Sequence, residues 1–144
     1  MTIAEAGAEP LFASEGGLGS VVGNIATTLK LEAAVELILA LVAFHALGGN
    51  WWLFAVLFLV PDVSMFAYFI NSRIGAAAYN FAHSYLTPAA VALVGFLLHQ
   101  HVLYLISTIW FAHIGLDRML GYGLKYSHAF GATHLGRKGR KSGA

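Results

Sequence analysis

NWWLFAVLFLVPDVSMFAYFINSR, residues 50–73, is the stretch on which the reading of the fold turns. From Trp51 to Ile70 it is apolar except for one charged side chain, Asp62. A bilayer core about 30 Å thick takes roughly 20 such residues in a helix. The run is continuously apolar rather than alternating, which argues for a helix and against a barrel strand. Pro61 removes one backbone N–H and is expected to kink the helix beside Asp62. Polar turns close it at both ends, Gly48-Gly49-Asn50 and Asn71-Ser72-Arg73.

Three further segments fit the same description. They run from about Leu29 to Leu47, Ile74 to Leu98 and Val102 to Tyr122, around a span of Asn50 to Ile70. Their joints are three residues long, and such short connections make neighbours antiparallel. The expected fold is therefore all-α, a polytopic up-down bundle of four transmembrane helices over 29–126. An acidic tail over 1–28 precedes it and a basic cytoplasmic tail over 127–144 follows. Met1 to Ser20 holds Glu5, Glu9 and Glu15 without Lys or Arg, so it does not read as a targeting peptide.

Composition agrees. The 144 residues are 58% hydrophobic and 10% charged, with mean hydropathy +0.71. Soluble domains are about 25% charged. The absence of cysteine excludes disulfides and thiolate chemistry. A net charge of +1 gives no footprint for nucleic acid. With four crossings, all eight basic residues (Lys30, Arg73, Arg118, Lys125, Arg137, Lys138, Arg140, Lys141) fall on one side. The positive-inside rule makes that side cytoplasmic, with both termini inside the cell membrane. Trp51 and Trp52 then mark the outer interface, and Tyr122 and Tyr126 the inner one.

Ionisable groups inside spans are expensive and mark function. Here they are Glu32, Glu36, Asp62, His83, His113 and Asp117, with Tyr79 and Asn80 beside them. At about 1.5 Å per residue, Asp62 and His83 lie roughly 15 Å from the inner end and His113 about 13 Å. Asn80 lies roughly 10 Å in and Glu36 about 9 Å. Separate helices thus bring carboxylates and imidazoles to one layer in the inner half of the bundle. Residues three or four apart share a helix face, which pairs Glu32 with Glu36, Asn80 with His83 and His113 with Asp117.

Carboxylates and neutral imidazoles from facing helices are how bundles hold metals. The expected ligands are Asp62, His83, His113 and Asp117, for Zn, Fe or Mn. Glu36 or Asp117 would serve as general base toward water whose pKa the metal lowers to about 7. Tyr79, Asn80 and Arg118 would support the ligands. Three other readings stay open. The cluster can neutralise itself and hold the bundle together, as in a non-catalytic protein or complex subunit. It can carry a proton or ion path. His83 and His113 can be axial ligands of a haem. His45, His99 and His101 read as interfacial, and His128 and His134 as solvated in the tail.

The blocks GGNWWLFAVLFLVPDVSMFAYFIN, RIGAAAYNFAHSYLTP and WFAHIGLDRMLGYGLKY resemble a bacterial family of small integral membrane proteins. It belongs to the domain-of-unknown-function series, number 4260. The resemblance covers roughly Leu29 to Leu135 and runs through Asp62, Asn80, His83, His113, Asp117 and Arg118. It implies a membrane protein and carries no established activity. A weaker similarity links Pro61-Asp62, His83-Ser84 and His113/Asp117 to membrane-bound metal-dependent hydrolases. The chain departs from that pattern at Ala82, where threonine is usual, and lacks the preceding His-Arg step. The leading expectation is a metal-dependent membrane hydrolase acting on a lipid-like or amphiphilic substrate reached from the cytoplasmic leaflet.

Overall fold

The computed structural model describes Val21, residues 23–127 and residues 132–137. The acidic stretch before Val21, His128 and the basic run after Arg137 lie outside the described residues. The fold is all-α apart from one small hairpin. Its helices are α1 (Gly23–Ala46), α2 (Trp51–Phe58), a 3₁₀ segment (Val60–Phe69), α3 (Ser72–Ala82), α4 (Leu86–Leu97) and α5 (His101–Met119). The antiparallel hairpin pairs β1 (Ala132–Thr133) with β2 (Gly136–Arg137).

Helix α5 is the axis of the fold, packing against α1, α2 and α4, while the 3₁₀ segment packs on α3. Two close approaches depend on glycine. A side chain at Gly115 would press on the α1 backbone at Ala33 and Leu37, and one at Gly75 would run into the Tyr68 ring. The turns hold as short connections. Asn50 caps α2 by accepting from Trp52 N–H at 2.8 Å, and Asn71 caps α3 by accepting from Ile74 N–H at 2.8 Å.

Three boundaries differ from the sequence expectation. Helix α1 begins six residues earlier, at Gly23 rather than Leu29. The second segment is helical throughout, but it changes winding at Pro61. That residue has no N–H for the α ladder and its ring crowds the carbonyl of Leu57. The chain continues with tighter i to i+3 closures, such as Asp62 N–H to Leu59 O at 3.2 Å. The third segment is two helices, not one continuous span over 74–98. Pro88 cannot donate to Ser84, so the ladder breaks over His83–Tyr85. Other groups take up the freed carbonyls. Trp110 Nε1–H donates to Ala82 O at 2.7 Å, Arg118 Nη2 to His83 O at 3.4 Å, and the Thr87 hydroxyl to Phe81 O.

Phe44, Ile109 and Ile114 are fully buried, small residues make up much of the remaining interior, and many large apolar side chains lie outside. The buried positions include Ala33, Ala40, Ala76, Ala82 and Ala112. Large apolar side chains point outward, with Phe69 87%, Trp52 83% and Leu86 80% exposed. Among the described residues, one helical stretch, Trp51–Phe69, is long and apolar enough by length and composition to cross a membrane. Helix α4 is apolar but shorter.

Candidate metal centre

The helix break sets the site. It leaves His83 at the C-cap of α3, turned toward α5 with its side chain 3% exposed. Helix α5 supplies His113 and Asp117 from one face, one turn apart. The first turn of the 3₁₀ segment supplies Asp62. These four side chains each offer one ligand atom, and all four atoms lie within 4.8 Å of one another. His83 Nε2 stands 3.4 Å from Asp62 Oδ1 and 3.5 Å from Asp117 Oδ2. His113 Nε2 stands 3.6 Å and 3.9 Å from the same two oxygens. The two Nε2 atoms are 3.2 Å apart.

The surroundings orient these groups. His83 Nδ1 lies 3.0 Å from the Tyr79 carbonyl. A carbonyl only accepts, so Nδ1 carries the proton and the neutral ring presents its Nε2 lone pair to the cluster. The Tyr79 ring stacks on His83, with centroids 3.8 Å apart and planes 12° from parallel. Its hydroxyl donates to Asp117 Oδ2 at 3.3 Å. Phe58 packs edge-on against His113 from α2. Among the described residues, His113 Nδ1 is buried without a hydrogen-bond partner. Asp62, 39% exposed, lies on the open side, while both imidazoles are closed off.

Of the residues singled out in the sequence, Asp62, His83, His113 and Asp117 converge, and Tyr79 touches two of them. Asn80 is elsewhere. Its amide clasps the backbone of Lys125, accepting from the N–H at 2.7 Å and donating to the C=O at 2.8 Å. Glu36 is outside the group too. It accepts from the Tyr85 hydroxyl beside Arg118. Glu32, Glu36, Tyr85, Arg118 and His134 line a separate cavity of about 140 Å³. Arg118 touches the centre only through the His83 carbonyl, with its guanidinium 4.3 Å over the Tyr85 ring.

Two tail-side residues have more defined roles than the sequence suggested. His134 is half-buried rather than free in solvent. Its Nδ1 accepts from Leu124 N–H at 2.9 Å, and burial, then the Arg118 charge, lowers its pKa. Lys125, read before only as a topogenic charge, is 9% exposed. Its Nζ lies 4.2 Å over the Tyr79 ring, 5.1 Å over Tyr68 and 3.6 Å from Met65 Sδ. Burial lowers its pKa, and the charges of Asp117 and Asp62 oppose that. No periodicity pointed to Lys125, because it follows the last helix. Its placement depends on Asn80, 45 residues away.

An apolar groove of about 780 Å³ runs along α4, from Asn80 and Ser84 at one end to Val94 and Leu103 at the other. The chain matches the family described as domain of unknown function (DUF4260) over residues 26–138. No curated protein and no solved structure matches it. The match runs from the first helix through the hairpin and contains every residue of the four-membered cluster, and the chain belongs to the DUF4260 family.

Proposed function

We propose that this is a membrane-embedded, metal-dependent hydrolase whose ion is held by Asp62, His83, His113 and Asp117. One observation carries the metal reading. Bonds of about 2.0–2.2 Å to zinc set tetrahedral edges of about 3.3–3.6 Å. Five of the six edges between the ligand atoms measure 3.2, 3.4, 3.5, 3.6 and 3.9 Å. The donor set, two imidazoles and two carboxylates, suits Zn, Fe or Mn. The carbonyl of Tyr79 holds His83 in the tautomer a ligand needs, and the Tyr79 hydroxyl steadies Asp117.

Four protein donors fill a tetrahedron, so such an ion would activate water or an ester oxygen only as a fifth ligand beside them. The chain supplies the rest. Asp62 stands at the open side, where a carboxylate can accept the proton released from water. Glu36, hydrogen-bonded to Tyr85 in the separate cavity, is not placed for that step. The apolar groove along α4, with Ser84 (the residue after His83) at one end, gives a hydrocarbon tail a lining of matching polarity, which supports a lipid-like substrate.

The membrane reading rests on the many large apolar side chains left on the outside, with small alanines at close helix contacts within. We assign four crossings, with α3 and α4 in series as the third, and both termini on the cytoplasmic side where the basic residues collect.

Elemental analysis of detergent-purified protein tests the metal reading, beside a His83→Ala/His113→Ala double variant. About one transition-metal ion per chain, lost in a variant that remains helical, is the expected result. No ion in either sample after attempted reloading would overturn it. The cluster would then be a self-neutralising structural element, with the search moving to partner subunits.

A further inference from the structure

The break between α3 and α4 is closed by specific partners. In a continuous helix, Leu86 N–H would donate to Ala82 O and Thr87 N–H to His83 O. Here Leu86 N–H goes to Ser84 Oγ at 3.3 Å and Thr87 N–H to Ser84 O at 3.1 Å. The carbonyls of Ala82 and His83 are left over, and side chains of one helix, α5, take both. Trp110 Nε1–H donates to Ala82 O at 2.7 Å, and Arg118 Nη2 to His83 O at 3.4 Å.

Trp110 and Arg118 stand eight residues apart, about 12 Å along α5, with His113 and Asp117 between them. Their long side chains reach in from either side to two consecutive carbonyls, the second belonging to a ligand. Arg118 is itself held, its guanidinium 4.3 Å over the Tyr85 ring, whose hydroxyl donates to Glu36. Inside a helix a ligand has its own hydrogen-bond ladder to fix its backbone. His83 is a C-cap, with φ −106° and ψ 15°, and has lost that ladder on one side. Helix α5 thus carries two ligands and both groups that grip the backbone at a third. The 3.2 Å between the two Nε2 atoms and the 3.5 Å from His83 Nε2 to Asp117 Oδ2 are referred to one rigid element. The Tyr79 carbonyl fixes the ring itself at Nδ1.

We infer that Trp110 and Arg118 are positioning residues of the metal centre, fixing the His83 backbone so that its Nε2 meets the ion together with His113 and Asp117. The inference rests on the metal reading above.

The test titrates the full chain in an uncharged detergent with Co²⁺, whose visible absorption reports both occupancy and coordination geometry. Trp110→Phe keeps an aromatic ring and removes the N–H. It should bind Co²⁺ about tenfold or more weakly than wild type, with an altered visible spectrum and unchanged helix content. Arg118→Gln should also bind more weakly. Removing a positive charge near the ion would by itself tighten binding, so the sign separates positioning from electrostatics. Ser107→Ala is the control. It removes another hydrogen bond between α5 and α4, from Ser107 Oγ to Pro88 O at 2.8 Å, five residues beyond His83, and should leave affinity and spectrum as in wild type. Wild-type affinity and spectrum in Trp110→Phe overturn the inference, as does tighter binding in Arg118→Gln. A loss in Ser107→Ala equal to that in Trp110→Phe also overturns it, because general packing then sets the site. If Trp110→Phe does not fold, Arg118→Gln against Ser107→Ala decides. Each of these outcomes leaves the metal centre standing, whereas a wild-type chain that binds no Co²⁺ brings down both readings.

Discussion

Replacing Asn80 by alanine should release the segment that carries Lys125 without disturbing the four-residue cluster. Asn80 contributes two hydrogen bonds, 2.7 and 2.8 Å long, both to the backbone of one residue. Each is worth about 1 kcal/mol net. Together they give about 2 kcal/mol of local docking energy, which at about 1.4 kcal/mol per decade is roughly 30-fold in an opening equilibrium. The readout is amide hydrogen exchange in detergent, at the Lys125 N–H that donates to Asn80 Oδ1. Under conditions where closing outpaces exchange, its rate should rise about 30-fold. Ser84→Ala is the control, because the hydrogen bond that Ser84 Oγ accepts comes from Leu86 N–H, within its own turn. An unchanged Lys125 rate in Asn80→Ala would show that the bridge between Lys125 and Thr133 holds the segment instead, and the reasoning would fail.

Three other outcomes follow from the geometry. Gly115→Val should cost about 1–3 kcal/mol, because its Cβ would meet Ala33 O and Leu37 N at 3.1 Å. Chemical unfolding in detergent reads this, and an unchanged midpoint would mean that α1 yields freely. The docking of the hairpin should depend on pH through His134, whose pKa is lowered in the fold by burial and then by Arg118. The undocked imidazole takes up a proton near its ordinary value of about 6.5 and the docked one resists it. Docking is therefore complete above that pH and weakens below it. Exchange at the Leu124 amide, corrected for its intrinsic pH dependence, should rise as pH falls toward about 5.5, and a pH-independent rate contradicts the argument. Finally, the chain has no cysteine, so single cysteines report topology without background. In intact cells, Gln100→Cys should react with an impermeant maleimide and Ser72→Cys should not, and the reverse pattern would invert the proposed orientation.

The helices and the cluster were legible for one reason. In a chain this apolar, each charged residue within a helix stands out, and helical rise converts its position into depth. Asp62, His83, His113 and Asp117 were found that way, and the polar turns holding Asn50 and Asn71 marked where one helix ends and the next begins. The break at His83 was equally available in Pro88, whose missing N–H falls in the middle of an apolar run. Reading hydropathy alone passes over it. Lys125 was out of reach of any local pattern, since two hydrogen bonds from Asn80 put it where it is. The same holds for His134, which a solvated basic tail would not single out and which a contact with Leu124 draws in. Depth placed Asn80 and Glu36 near the right layer, but depth says nothing of direction around the helix axis. That is why one clasps the Lys125 backbone and the other faces Tyr85.

The 3₁₀ segment also acts as a length element. Ten residues wound at about 2.0 Å per residue reach about 5 Å farther than the same ten in an α-helix. With the eight residues of α2, the 19 residues Trp51–Phe69 extend about 32 Å, close to the thickness of a hydrocarbon core. The extension comes with rotation. Rewinding the segment as α-helix would shorten it by about 5 Å and turn its far end by about 200° relative to α2. Asp62 lies in the first turn and would move little, while Tyr68, near the far end, would swing away from Lys125. On the proposed crossing, the segment is a screw whose pitch sets how far Met65 and Tyr68 stand from the centre, and a thinner bilayer would favour the shorter winding.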